Sequence, residues 1–295
     1  MTAFLQLLFQ GLALGCVYAL VALGFTVIFR ASQVINFAQG SLLLVGAYLV
    51  SVLATGLGLP FWLAVLVAIA LLAAGCVLFQ VIVLQRVLGQ PVFVLVMITI
   101  GLSIAIDSAI PAIFGANSRI LGDPWGASAV HAGGLTFNWV QIWTVVCTAL
   151  ILALYFAFDR FSRYGLAMRA TASDQEAALA VGVPIRRVYA LTWAIAGAVA
   201  VVGGVFLSGF PSSVNPSLGE VALLAFPAII LGGLDSPPGA VVGGIAIGVI
   251  QVLTSGYAPA WLGNNFAAVA PYVVMILVLL VRPYGLFGTR PVERV

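Results

Sequence analysis

The sequence predicts an all-α, polytopic transmembrane helix bundle, and three observations lead to this prediction. Of the 295 residues, 63% are hydrophobic and only 6% are charged, whereas soluble domains carry about 25% charged residues. Apolar segments of about 20 residues, the length that crosses a bilayer core as a helix, recur along the chain. The 11 basic residues are all arginine, and they cluster in alternate connections between the apolar segments. Lipid is the solvent that suits this composition.

Nine candidate spans follow one another along the chain. They cover residues 4–29, 34–54, 61–84, 92–113, 140–158, 188–208, 220–234, 239–257 and 267–281. The span 220–234 is short, and the boundary near residues 30–40 is the least distinct. The prediction is therefore about eight to ten spans in a single transmembrane domain, residues 1–295.

The arginines give the predicted bundle an orientation. With the N-terminus outside, every arginine except Arg119 falls in an inner segment, which is the bias that the positive-inside rule describes. This bias places the loop 159–187 and the C-terminal tail in the cytoplasm. The side of the N-terminus is less well determined, because that end carries no charged side chain.

The residue types exclude several classes of function. Without lysine, the chain cannot supply the phosphate-binding lysine of a P-loop ATPase. The three cysteines, Cys16, Cys76 and Cys147, lie inside apolar runs and show no metal-ligand spacing. The single histidine, His131, lies in a polar loop, and no nucleophile–base pair accompanies it. We expect no catalytic residue, no metal ligand and no cofactor bound by this chain.

One short motif occurs twice. The motif consists of Asn, any three residues, Gly, and then Ser or Glu. It begins at Asn36 and again at Asn215, and an apolar helix is predicted after each copy. The offset is 215 − 36 = 179 positions. The spans before the two copies run in opposite directions in the predicted topology, which is typical of an inverted repeat. The predicted halves are about 1–158 and 188–295, joined by the loop 159–187.

Two roles suit the repeated motif. Gly40 and Gly219 permit a helix break, and backbone outside a helix at membrane depth is tolerated only inside protein or beside a wet cavity. The Asn side chain can then accept from freed N–H groups, and the helix N-terminus favours a carboxylate. The alternative is a pair of ordinary turns at the membrane surface. Under the first hypothesis, the translocation path is lined by Asn36, Gln39, Gly40, Ser41, Asn215, Gly219 and Glu220.

Small residues four positions apart predict close helix packing. Packing within the chain is the favoured interpretation, and contact between two subunits is the alternative. The small-residue patterns are Gly11/Gly15, Gly239/Gly243 and Gly244/Gly248.

The sequence also predicts one intramembrane acid, Asp107. It is either functional or a hydrated structural residue near the end of its span.

The inner loop 159–187 contains a short predicted helix. Ser173 and Glu176 have the spacing of a capping box, in which the serine hydroxyl accepts from the third helical N–H. Gly182 suits the position just after the helix, and Pro184 prevents continuation. A helix of two turns is not stable alone, so we expect it to dock on another protein; lying on the bilayer surface is the alternative.

Three segments of the chain resemble the LivH-type permease subunits of bacterial ABC importers for branched-chain amino acids. They are residues 15–48, 163–206 and 231–251, and the likeness extends over almost the whole chain. The resemblance implies two ATP-binding subunits on the cytoplasmic face, a second permease subunit of the LivM type and a periplasmic binding protein. It also implies that the inner-loop helix couples to the ATPase. The predicted coupling residues are Ala170, Ser173, Asp174, Glu176, Ala178 and Gly182.

The sequence thus predicts a non-catalytic permease subunit of the bacterial inner membrane that moves branched-chain amino acids by alternating access. Many relatives have His and an acid where this chain has Gln39 and Ser41, so the same architecture with urea or short-chain amides as cargo is an alternative. A stand-alone carrier or channel, and a structural scaffold, are the other classes that remain open.

Overall fold

The computed structural model describes residues 2–87, 89–126, 128–132, 135–209, 213–259 and 266–288. For residues 132, 221 and 222 it describes the backbone alone. Most of these residues are helical. The α-helices are α1 (Thr2–Ser32), α2 (Gln39–Ser51), α3 (Phe61–Ile82), α4 (Val92–Phe114), α5 (Trp139–Phe161), α6 (Arg163–Ser173), α7 (Gln175–Ala180), α8 (Ile185–Ser208), α9 (Leu218–Ala222), α10 (Phe226–Gly232), α11 (Pro237–Tyr257) and α12 (Phe266–Val281).

Short irregular turns extend three of these helices. A π-helical turn, Val52–Gly56, continues α2, and a 3₁₀ turn, Leu84–Val87, follows α3. A second 3₁₀ turn, Leu223–Ala225, joins α9 to α10. Consequently α9 and α10 form one interrupted helical segment.

The helices confirm the predicted polytopic bundle. Among the described residues, seven helices are long and apolar enough to cross a membrane: α1, α2 with its π-turn, α3 with its extension, α4, α5, α8 and α11. Two shorter apolar helices, Leu218–Gly232 and Phe266–Val281, occupy the remaining predicted spans, 220–234 and 267–281. Each of the nine predicted segments therefore coincides with a helix.

The centre of the bundle is α1. In the most apolar 18-residue stretch of α1, 83% of the residues are buried inside the chain, whereas the share in the corresponding stretch of α4 is only 11%. A helix that is apolar on all sides can be covered by neighbours on all sides. Together, α8 and α2 complete this centre, while α3, α4 and α5 present broad apolar faces outward.

The predicted glycine patterns pack helices together within the chain. Helix α1 runs antiparallel to α11, with Gly11 beside Val249 and Gly15 beside Ile245. A Cβ atom added at Gly15 would lie 2.7 Å from the Ile245 Cα, which is too close for any larger residue. The Tyr18 hydroxyl also donates to the Gln251 side-chain oxygen at 2.7 Å. The prediction of close packing within the subunit is confirmed.

A corresponding antiparallel pair joins α3 and α8. A Cβ atom at Gly197 would lie 2.8 Å from the Cys76 sulfur, and the rings of Phe79 and Trp193 are 5.5 Å apart. Shifted by the 179-residue offset of the repeated motif, α1 corresponds to α8 and α3 corresponds to α11. The first long helix of each predicted half therefore packs on the third span of the other half.

Two small sheets lie at one end of the bundle. In the first, β1 (Arg119–Ile120) pairs antiparallel with β4 (Ser213–Val214). In the second, β2 (Ala129–Ala132) pairs antiparallel with β3 (Leu135–Asn138). The Ser51 hydroxyl donates to the Ile120 carbonyl oxygen at 2.7 Å, which ties this end to α2.

Candidate functional site

The two copies of the repeated motif adopt the same turn before their helices. The Asn36 carbonyl oxygen accepts from the Gln39 N–H at 3.2 Å, and the Asn215 carbonyl accepts from the Leu218 N–H at 3.2 Å. In the first copy the Asn36 side chain also accepts from the Ala38 N–H at 3.1 Å. In the second copy the Asn215 side chain accepts from the Ser217 hydroxyl at 2.7 Å. The Asn36 side chain therefore accepts a backbone N–H, whereas the Asn215 side chain accepts a neighbouring hydroxyl.

The first break lies at depth beside α1, not at its end. Gln39, the first residue of α2, packs against Gly24, and α1 continues for eight more residues to Ser32. At 1.5 Å per residue this remainder is about 12 Å long. The chain therefore leaves α1, turns back, and begins α2 inside the bundle, which favours a break at membrane depth over a surface turn.

Gln39 joins α1, α2 and α8. Its side chain is fully buried, its Nε2 donates to the Ala196 carbonyl oxygen at 3.3 Å, and its Oε1 accepts from the Asn36 Nδ2 at 3.4 Å. A Cβ atom at Gly24 would lie 2.9 Å from the Gln39 Cδ. Only glycine at position 24 leaves room for this buried amide.

The two helix breaks meet at their glycines. A Cβ atom at Gly219 would lie 3.5 Å from the Gly40 carbonyl oxygen and 3.5 Å from the Asp107 Oδ1. The structure therefore brings the two predicted motifs together, although they are far apart in the sequence. We call this meeting point, formed by Gly40, Gly219 and Asp107, the glycine junction.

A polar stripe on α4 faces the glycine junction. Thr99, Ser103 and Asp107 are spaced four positions apart, so they share one side of the helix. The Ser103 hydroxyl donates to the Asp107 Oδ2 at 3.2 Å, which leaves the Ser41 hydroxyl to donate to Ser103 at 2.8 Å. Thr99 accepts from the Phe37 N–H at 3.3 Å. Thr99 and Ser103 were not predicted from the sequence, although their spacing relative to Asp107 was the available signal.

Burial distinguishes the predicted path residues from one another and from the neighbouring Asp107. Asn36, Gln39 and Ser41 are buried within the chain, so they form a framework behind the surface. Asp107 and Glu220 are exposed. Three further members of the site are Gly40, which is buried, and Asn215 and Gly219, which are half-buried.

Ion pairs mark the opposite end of α1 from the sheets. The Asp159 carboxylate at the end of α5 lies 3.4 Å from the Arg30 guanidinium on α1 and 3.4 Å from that of Arg169 on α6. One carboxylate thus links three helices. We call this region, formed by Arg30, Asp159 and Arg169, the arginine end.

The short helix α7 lies beside the arginine end, and its N-cap residue differs from the predicted one. Asp174, not Ser173, caps it, because the Asp174 carboxylate accepts from the Ala177 N–H at 2.9 Å. Ser173 is the last residue of α6 and donates to the Arg169 carbonyl oxygen. The predicted capping box between Ser173 and Glu176 is therefore wrong. The predicted stop is confirmed, since Gly182 has a φ of +86°.

Helix α7 contacts α8 through one side and presents the other to the surroundings. The Gln175 amide donates to the Tyr189 hydroxyl at 2.6 Å, and Ala178 is only 3% exposed. On the outward side, Glu176 is exposed, and Leu179 and Val181 are 57% and 80% exposed. Ala178 therefore faces the chain itself, whereas the outward side carries two large apolar side chains and one acid.

A wide cavity of about 1060 Å³ opens at the arginine end. The end of α1, the segment from α6 to α7, α10 and the end of α12 surround it. Charged side chains of both signs reach it, among them Arg30, Arg169 and Asp235. The cavity lies directly beside α7, so a movement of α7 would change its width.

The chain is similar to proteins of one family along nearly its full length. The family described as branched-chain amino acid transport system, permease component, matches residues 7–280. The LivH permease proteins of the high-affinity branched-chain amino acid transport systems of Salmonella typhimurium and Escherichia coli K12 are each 34% identical, over 99% of this chain and 98% of theirs. The corresponding BraD protein of Pseudomonas aeruginosa is 31% identical over the same shares.

Proposed function

The chain belongs to the family of permease components of branched-chain amino acid transport systems, and we propose that it carries leucine, isoleucine and valine across the bacterial inner membrane. It would do so as the permease subunit of an ATP-driven importer. The observation that carries this proposal is the family match over residues 7–280. The bundle fits it, since seven of its described helices are long and apolar enough to cross a membrane.

The energy for transport comes from partner subunits that hydrolyse ATP. The chain has no lysine, so it cannot supply a P-loop of its own. We propose that two ATP-binding subunits dock on the cytoplasmic face of the complex, and that one of them contacts α7 and its flanks, where Leu179 and Val181 are exposed. The coupling residues are then Ala170, Ser173, Asp174, Glu176, Ala178 and Gly182. Of these, Ala178 holds α7 to α8, while Glu176 faces the partner.

Motion of the docked helix reaches the bundle through two connections. The hydrogen bond from Gln175 to Tyr189 joins α7 to the start of α8. The Asp159 carboxylate joins α6, which precedes α7, to α1. Since α1 and α8 form the centre of the bundle, a displacement of α7 is transmitted directly to the helices beside the glycine junction.

The translocation path passes the exposed side of the glycine junction. Asp107 and Glu220 are acidic and exposed, and acidic residues within membrane-spanning segments are stable only beside water or a partner. A second permease subunit, of the LivM type in this proposal, closes the other side of the path. Asn36, Gln39, Gly40 and Ser41 give this wall its fixed shape.

The two predicted halves, about 1–158 and 188–295, form interlocked units. Contacts support this view, because α1 packs on α11 and α8 packs on α3. The loop 159–187 and the C-terminus face the cytoplasm in this proposal, with a periplasmic binding protein docking at the sheet end. The arginine bias supports this orientation.

Reconstituted transport tests the proposal. The chain is co-purified with its partners, placed in vesicles with the binding protein outside and ATP inside, and supplied with labelled leucine, urea or acetamide. The expected result is ATP-dependent accumulation of leucine and not of the other two. Preferential accumulation of urea or acetamide, or accumulation by the purified chain without ATP-binding subunits, would contradict the proposal.

A further inference from the structure

A cavity of about 320 Å³ lies at the sheet end, away from the glycine junction and the arginine end. The ring centroids of Trp62 and Trp143 lie 5.2 Å apart, and those of Trp62 and Trp125 lie 5.9 Å apart. Four of the six tryptophans of the chain meet here, from three separate segments. We call them the tryptophan cluster. The cavity is lined by Trp62, Pro124, Trp125, Ser128, Trp139 and Trp143.

Trp125 is the most buried member of the cluster, with 5% of its surface exposed. Its ring packs against Phe61 at 5.2 Å and stacks on Phe206 at 5.9 Å. The indole Nε1 is buried and has no hydrogen-bond partner within the described part of the chain. A buried donor without a partner is destabilising, so an acceptor oxygen bound in the cavity would satisfy it.

Two apolar helix faces extend from the cluster into the membrane. On α3, Leu66 and Leu78 are 64% and 59% exposed, and on α5, Leu150 and Leu154 are 59% and 61% exposed. These helices start at the tryptophan cluster through Trp62 and Trp143. Lipid acyl chains suit such faces, because nothing in them requires a polar partner.

We propose that the tryptophan cluster binds the headgroup of an ammonium-bearing phospholipid, of which phosphatidylethanolamine is the simplest, with its acyl chains along α3 and α5. The Trp125 Nε1 donates to a phosphate or ester oxygen. Indole faces attract a cation, which suits the ammonium group of such a headgroup. Tryptophan is also typical of the headgroup level of membrane proteins. The site is independent of the transport function.

Lipid titration followed by native mass spectrometry tests this site. The chain, purified with its co-expressed partners and stripped of lipid in mild detergent, is titrated with phosphatidylethanolamine or phosphatidylglycerol of identical acyl chains. The wild-type chain should bind the ethanolamine lipid more tightly. Trp125→Phe keeps an aromatic ring and removes the N–H, so its affinity for that lipid should fall about tenfold. Trp193→Phe makes the same change outside the cluster and should bind as the wild type does.

Two results would overturn the lipid site: equal binding of the two lipids by the wild-type chain, or equal ethanolamine-lipid binding by Trp125→Phe and wild type. If Trp125→Phe does not fold, Trp143→Leu decides, because Trp143 is 37% exposed and its replacement disturbs the interior less than a change at Trp125. Loss of ethanolamine-lipid binding in Trp143→Leu supports the site, and unchanged binding refutes it.

Discussion

The side-chain amide of Gln39 donates to the backbone carbonyl of Ala196 at 3.3 Å, and so joins the start of α2 to the middle of α8. This bond connects the two predicted halves of the chain at the depth of the first helix break. It exists only because Gly24, on α1, has no side chain at the point where the amide lies. The position of the break therefore depends on three helices at once.

Gly24→Ala should destabilise the bundle and reduce transport. The added Cβ would collide with the Gln39 amide, and overpacking of this kind costs about 1–3 kcal/mol. We expect a lower thermal unfolding midpoint and slower leucine uptake in vesicles. The double variant Gly24→Ala/Gln39→Ala should recover part of the stability, since it removes the collision. Gly75→Ala is the control, because no atom lies within 4 Å of its added Cβ; equal loss in that variant would refute the role of Gly24.

Asn36→Leu should impair transport more than Asn215→Leu. Asn36 is fully buried and bonds both the Ala38 N–H and the Gln39 side chain, so its loss leaves buried polar groups without partners, at about 1–3 kcal/mol. Asn215 is half-buried, and water can replace its bond to Ser217. Uptake and expression are measured together. Near-normal transport by Asn36→Leu at normal expression would show that the break has no role in the path.

Asp107→Asn should lower leucine uptake about tenfold without lowering expression. The change preserves shape and removes the charge at the exposed side of the glycine junction, and a hydrogen bond to a charged group contributes about 1.5–3 kcal/mol. Ser103→Ala should have a smaller effect, because it keeps the Asp107 carboxylate and removes only the hydroxyl that bonds Asp107 and Ser41. Ser108→Ala, at the next position on α4 and exposed, is the control. Wild-type uptake by Asp107→Asn would exclude the carboxylate from the path.

Asp174→Ala should weaken coupling, whereas Ser173→Ala should not. Loss of an N-cap costs about 1 kcal/mol, and Asp174 is the residue that caps α7. We expect Asp174→Ala to reduce uptake per ATP hydrolysed by the assembled transporter. The two variants form a matched pair of adjacent positions. Equal effects of both would contradict the observed cap.

Tyr189→Phe should separate ATP hydrolysis from uptake. The change removes only the hydroxyl that accepts from Gln175 at 2.6 Å, and with it the direct bond between α7 and α8. ATP hydrolysis by the complex should persist while leucine accumulation falls. Tyr164→Phe, an exposed tyrosine on α6, is the matched control. A parallel fall of hydrolysis and uptake in Tyr189→Phe would point to failed assembly instead.

The helices were predictable because their signal is local. Each apolar segment is long, and Gly182 and Pro184 mark a stop that the backbone follows. The cap of α7 was not predictable in the same way. Ser173 and Asp174 are both good caps, and the choice between them depends on α6, which continues through Ser173 and leaves Asp174 extended.

Contacts between distant segments account for the remaining differences. The pairing of Arg119 with Val214 joins residues 95 positions apart, since 214 − 119 = 95, and two-residue strands leave no alternation to detect. The repeated motif predicted that two breaks exist, but not that Gly40 and Gly219 touch. Burial of Gln39 likewise depends on Gly24, a residue with no polar group to draw attention to it.

The pairing of α1 with α11 also constrains how the protein is made. Tyr18 and Gln251 are separated by 233 positions, so at about 5–20 residues per second the ribosome needs roughly 10 to 50 s to supply the second after the first. During that interval α11 cannot yet pack against the small residues of the first helix. Final closure of the bundle must therefore wait for the last third of translation.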